Sequence, residues 1–142
     1  MYYSSYSQGS KIITRSNARQ YLREDMCLPS HIRGIAPEAF QNRGVIRSVQ
    51  FPARLTSVGA RAFCGCVSLE AVALPSQVSE LASAAFSRCD ALQKAQIPGS
   101  LDTLTQSLFQ ESRRLQTVTF TPPSIPTVSG KFRNMLSLNA NP

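Results

Sequence analysis

A right-handed α/β repeat solenoid of about five coils, each 23 residues long, is the fold class this sequence predicts. Three sets of residues carry the prediction. Phe40, Phe63, Phe86, Phe109 and Phe132 stand 23 apart. Pro29, Pro52, Pro75 and Pro98 keep the same step of 23, and Pro122 misses it by one. Apolar columns run in the same register, among them Ile46, Leu69, Leu92, Leu115 and Leu138, then Ile32, Leu55, Val78 and Leu101, then Ile35, Val58, Leu81 and Leu104. Several independent columns in one register are hard to obtain by chance. The whole chain of 142 residues is enough for one domain.

The period has a physical meaning. A single coil cannot bury its own apolar edge, so coils stack and each column becomes a ladder with neighbours about 4.8 Å apart where strands pair. Burying one large side chain contributes roughly 1.5–3 kcal/mol, and half a dozen columns per coil offset the entropy of ordering it. The Phe column is expected to contribute most.

Each coil divides into parts. A strand runs through the Val-x-Leu pair, as in Val72-Ala-Leu74, and ends at the proline, which has no N–H to offer a ladder. The segment Leu69-Glu-Ala-Val72-Ala-Leu74 reads as L-x-x-L-x-L, the core of a leucine-rich repeat, and Ile46 to Phe51 repeats it. Pro-x-x-Leu-x-x-Val then crosses over. Ser83 to Cys89 holds helix-compatible residues and predicts a short helical turn. The expected architecture is thus a leucine-rich-repeat solenoid with a parallel concave sheet and short turns or helical segments on the convex side.

The ends need caps. Residues 1–28 are read as an N-terminal tail and cap, and 29–142 as the solenoid. Ile12 to Met26 predicts a short helix, with Ser16 or Asn17 at its start and Tyr21, Leu22 and Met26 at helical spacing. Met1 to Ser10 predicts disorder. At the other end, Thr121-Pro-Pro-Ser-Ile-Pro126 replaces the usual turn before Phe132 and Leu138 return to register. Little follows Leu138. Either that end exposes apolar surface and invites self-association, or Met135, Leu136 and the tail fold over it.

Net charge is +7, and it is lopsided: residues 1–61 carry +6 and the remainder +1. A basic half can favour anionic partners. However, no Lys/Arg run appears and no aromatics interleave with the basic residues, so no nucleic-acid partner is expected. No stretch of 18 apolar residues exists, which excludes a helical membrane span. Met1 to Ser10 lacks the basic flank and apolar stretch of a signal peptide. This predicts either a protein that stays inside the cell or one whose leader has been removed.

Residues that could carry chemistry are few. His31 is the sole histidine, so no Ser-His-Asp or Cys-His arrangement is read from it. Cys64-Gly-Cys66 is C-x-C, and no second pair completes a zinc site. Cys66 and Cys89 stand at equivalent inward positions and read as buried thiols. Cys27 falls at the strand position of Gln50, Ala73 and Gln96. It is either a reactive thiol on the concave face or a residue shielded by the cap. No cofactor, metal site or catalytic residue is predicted.

What remains are the strand positions that alternate with the core: Ser48, Gln50, Ala71, Ala73, Lys94, Gln96, Thr117 and Thr119. They are expected to line one continuous face. It is small, polar and nearly uncharged, with Ala71 and Ala73 as a shallow apolar patch at its middle. Such a face can accept a partner's loop or strand.

Leu74-Pro75 through Phe86 and Cys89 to Leu92, and Phe51-Pro52 through Leu69, resemble the BspA-type leucine-rich repeat. The likeness runs from about Pro29 to Leu138. It implies a non-enzymatic protein-protein interaction module, with bacterial cell adhesion, attachment to host proteins and virulence as the setting. It also implies a cell-surface or periplasmic place, although no lipid-attachment cysteine near the start and no anchor segment is seen. Two further readings stand beside it. One is a self-assembling structural unit that stacks through its C-terminal end. The other is an anion or glycan binder that uses the basic N-terminal half.

Overall fold

The computed structural model describes residues 11–99, 101, 103–104, 107–121 and 127–128. The expectations for Met1 to Ser10, for the turn at residues 122–126, for Phe132 and Leu138 and for an uncapped C-terminal end lie outside them. Among the described residues, parallel sheets of five, four and two strands and a stack of turns wind around one core. The larger sheet takes one strand from each coil: β2 (Asp25–Cys27), β4 (Ser48–Gln50), β6 (Ala71–Ala73), β8 (Lys94–Pro98) and β10 (Thr117–Thr121). Its order is β10-β8-β6-β4-β2, and every pairing is parallel. Its register is set by the repeat, with Ala71 opposite Lys94 and Thr117 opposite Lys94 across β8.

A second parallel sheet forms where the sequence suggested only a crossover. It joins β1 (Ile12–Ile13), β3 (Gly34–Ile35), β5 (Ser57–Val58) and β7 (Glu80–Leu81). The pair β9 (Thr103–Leu104) and β11 (Thr127–Val128) repeats the same step in the later coils. Strands of two residues are too short to show a period of two, so sequence patterning could not announce them.

The third side of each coil is made of hydrogen-bonded turns, not helix. In one coil the N–H groups of Glu38, Phe40 and Asn42 donate to the carbonyls of Ala60, Ala62 and Cys64 in the next, at 3.0, 2.8 and 2.7 Å. Arg61, Phe63 and Gly65 repeat this to Ser83, Ala85 and Ser87. The expected helical turn at Ser83 to Cys89 is therefore corrected. Ala84 (φ 60°) and Arg88 (φ 56°) sit in the left-handed region, as do Glu38, Asn42, Arg61 and Glu111, and a right-handed helix cannot pass through them. Donors spent on the neighbouring coil replace those a helix would turn inward.

The N-terminal helix expectation fails for a similar reason. Only Ala18–Tyr21 is helical, and it is one 3-10 turn. Ile12–Ile13 and Asp25–Cys27 are strands that extend the two sheets, with Ile13 opposite Ile35 and Met26 opposite Val49. Asn17 does not cap a helix. Its Oδ1 accepts from the Thr14 N–H at 2.8 Å and its Nδ2 donates to the Ile12 carbonyl. Ile13, Ala18 and Met26 join the core, with Tyr21 and Leu22 packed against it.

The inward columns meet as expected. Phe40, Phe63, Phe86 and Phe109 are buried and stack ring on ring, with centroids 5.3, 5.5 and 6.1 Å apart and planes within 23°. Phe51 meets Phe63 edge-on at 5.8 Å. Beside this row runs a column of buried donors. The Cys66 thiol donates to the Phe40 carbonyl at 3.2 Å, the Cys89 thiol to the Phe63 carbonyl at 3.2 Å, and the Ser112 hydroxyl to the Phe86 carbonyl at 2.7 Å. All four cysteines are free. Burial pushes the Cys66 thiol up to about 12 and raises Cys89 as well, so both stay protonated and able to donate. Because Ser112 already fills this role two coils on, Cys66→Ser is expected to be nearly silent. Cys66→Ala leaves the Phe40 carbonyl with the Arg43 N–H alone, at 3.3 Å, and is expected to cost about 0.5–1.5 kcal/mol. Denaturant melts of the two variants compare them directly, and equal losses would refute the donor role.

Candidate functional site

Period-two alternation in the larger sheet turns Met26, Val72 and Ala95 inward and their neighbours outward. Ser48, Gln50, Ala71, Ala73, Lys94, Gln96, Thr117 and Thr119 are all exposed on the same face, where the alternation puts them. β2 adds Asp25 and Cys27, both exposed. Cys27 pairs in register with Gln50, so the shielding alternative gives way to the face position. Asp25 was missed because its strand was read as helix. With strands about 4.8 Å apart, five of them span roughly 19 Å.

Six of the eight residues enclose a shallow depression of about 350 Å³. Ala71, Ala73, Lys94, Gln96, Thr117 and Thr119 form its walls, over Val49, Val72 and Ala95. Small side chains open it. Ala71 and Ala73 project only methyl groups, and Ala95 stands where the same column elsewhere holds Val49, Val72 and Val118. Ser48 and Gln50 lie on the face beyond it, and the Ser48 hydroxyl donates to Asp25 Oδ1 at 2.7 Å. Lys94 is the one cation in the depression, and no carboxylate lines it. The arrangement supplies amide, hydroxyl and ammonium groups around an apolar floor. It contains no nucleophile held by a base.

Charges elsewhere are arranged by the repeat. Arg47 lies between Glu24 and Glu70, each one coil away, at 3.5 and 3.3 Å. The Glu70 and Glu24 carboxylates hold its guanidinium above its ordinary value. Glu38 lies likewise between Arg15 and Arg61, at 3.5 and 3.9 Å. These exposed pairs add little stability but neutralise three of the basic residues of the N-terminal half. Among the described residues, no cluster of His, Cys, Asp and Glu could hold a metal ion, and no helix is long and apolar enough to cross a membrane.

A family model of the BspA-type leucine-rich repeat region matches residues 19–139 in six copies. The chain belongs to the BspA-type leucine-rich-repeat family. The solved leucine-rich-repeat protein of Treponema pallidum is similar to it, with 29% identity and a TM-score of 0.68 over 78% of this chain. A leucine-rich cell surface protein of Faecalibacterium prausnitzii shares the fold, with 24% identity and a TM-score of 0.67 over 82% of this chain. The chain spans 55% of the first and 29% of the second. A comparison with curated protein sequences finds no match. BspA-type repeats make protein-interaction and surface-protein modules, and this chain is built from them.

Proposed function

We propose that this BspA-type chain is a non-enzymatic protein-binding module that receives a loop or strand of a partner protein across its five-stranded sheet. The observation that carries the reading is the coincidence of two independent features. The positions left free by the repeat are also the walls of the depression at Ala71, Ala73, Lys94 and Gln96. An apolar floor with a few convergent polar groups favours a peptide segment over a small charged metabolite. The setting is adhesion at a bacterial surface, with a host or bacterial protein as partner. Family membership and the cell-surface neighbour support this.

The test is a pull-down from host extracellular material and from bacterial lysates with wild type and the double variant Ala73→Arg, Gln96→Arg. Two guanidinium groups fill the depression and place charge on its floor. The expected result is a captured protein that the double variant loses while keeping its melting temperature. A partner retained by the double variant would sink the sheet-face reading.

The other two readings have less behind them. Stacking through the C-terminal end falls on residues outside those described. A broad anionic surface is weakened because Arg15, Arg47 and Arg61 are paired with carboxylates.

A further inference from the structure

We propose that a pocket at the corner between the two sheets, walled by Arg33 and Arg54, binds a single tetrahedral oxyanion, a phosphate or a sulfate group. This site lies apart from the sheet face and is independent of its function. Each coil turns that corner through the same Pro-x-x-Leu turn, in which the Ile32 N–H donates to the Pro29 carbonyl and the Leu55 N–H to the Pro52 carbonyl. Stacking at a step of 23 therefore sets His31 beside Arg54, with Arg33 two residues further along the first turn. Together with Ser30 and Ala53 they line a pocket of about 390 Å³ that contains no acidic residue.

The two arginines differ from others in this half of the chain. Arg15, Arg47 and Arg61 each reach a glutamate on a neighbouring coil. Among the described residues, Arg33 and Arg54 reach none. Arg33 is half-buried, and its Nη1 donates to the Ser30 carbonyl at 3.0 Å. That bond uses one Nη and leaves further N–H groups of the fork unspent for an oxyanion. His31 lines the same pocket, and its Nε2 is buried with no hydrogen-bond partner in the structure.

The sequence also limits the size of the ligand. In the next coils the position of His31 and Arg54 is taken by Gln77, and that of Arg33 by Thr56 and Ser79. Toward the C-terminus the positive charge ends at Arg54, while on the other side Lys11, in register with Arg33, continues it by one coil. Three coils span roughly 10 Å, too short a stretch for a polyanion laid along the solenoid and suited to one isolated group.

His31 is the only histidine in the chain, so its imidazole gives one assignable reporter signal. Sodium sulfate and sodium phosphate are titrated against it by NMR at constant ionic strength, with chloride as the balancing salt. The expected result is a saturable shift with one or both oxyanions and none with chloride. Arg54→Ala, at an exposed position, is expected to keep the fold, as circular dichroism would check, and to weaken binding roughly tenfold or more, since hydrogen bonds to charged groups are the stronger kind. Arg113→Ala, an exposed arginine on the turn side, is expected to change nothing. Glucose 6-sulfate and glucose 6-phosphate, with glucose as control, then separate a sulfated from a phosphorylated source. No saturable shift, or a shift that Arg54→Ala leaves unchanged, or one that Arg113→Ala weakens equally, would overturn the site. The sheet-face double variant should bind the anion normally, so failure of either proposal leaves the other readable.

Discussion

Phe63→Ala is expected to cost about 3–5 kcal/mol, the range for removing a buried aromatic side chain from a packed core. Phe63 is fully buried in the middle of the row, stacked on Phe40 at 5.3 Å and Phe86 at 5.5 Å, with Phe51 against its edge at 5.8 Å. Truncation thus strips contacts from three other rings at once. The surroundings cannot collapse into the gap, because the backbone of each coil is held to the next by ladder bonds such as Phe40 N–H to the Ala62 carbonyl and Phe63 N–H to the Ala85 carbonyl. In a solenoid a weakened central coil also uncouples the coils on either side, so the unfolding transition is expected to broaden as well as shift. Urea melts followed by circular dichroism measure both. A loss below about 1 kcal/mol would mean that the ring is not a structural core residue.

Gly59→Ala is the second large effect, and its cause is close approach, not backbone freedom. A Cβ at Gly59 would stand 2.5 Å from the Pro37 nitrogen and 2.8 Å from the Ala36 carbonyl carbon. Those are backbone atoms of the preceding coil, so no side chain can swing away. The Gly59 N–H donates to the Ile35 carbonyl at 2.8 Å and fixes the coils at that spacing. Equivalent positions hold Ala36 and Ala82, so alanine is acceptable in this column where proline does not lie beneath it. Overpacking of this kind costs typically about 1–3 kcal/mol, and more where backbone must shift. Thermal melts of Gly59→Ala and of Ala82→Gly provide the comparison. Equal and small changes in both would show that the coils are looser than the ladder implies.

How much of this was legible beforehand depends on residue spacing. The Phe row, the Leu columns and the eight face positions all repeat at 23, and the structure places each described member where the repeat puts it. Ser57–Val58 and Glu80–Leu81 could not be read as strands, since two residues hold no period and their neighbours look like any crossover. The first coil was misread for a different reason. Ile13 pairs with Ile35 at a step of 22, one short of the repeat, so its column breaks there, while Met26 keeps the step of 23 to Val49 but also stands at helical spacing from Tyr21 and Leu22. At Ser83 to Cys89 local propensity favoured helix, but hydrogen bonds to the adjacent coil prevailed. The anion pocket had only a faint trace in sequence: an excess of positive charge with nothing to say that Arg33 and Arg54 converge.

Strand β6 shows Ala71 and Ala73 to solvent and Val72 to the core, and Leu74 just after it also turns inward. A slip of one residue would exchange the two faces along the whole sheet. Thermal melts of four single variants, with arginine placed in turn at Ala71, Val72, Ala73 and Leu74, test it position by position. The first and third are expected to change stability by no more than about 0.5 kcal/mol, as surface substitutions do. The second and fourth bury an unpaired charge and should unfold the protein or cost several kcal/mol. Tolerance at Val72 and Leu74 with loss at Ala71 and Ala73 would contradict the face assignment and the binding site built on it.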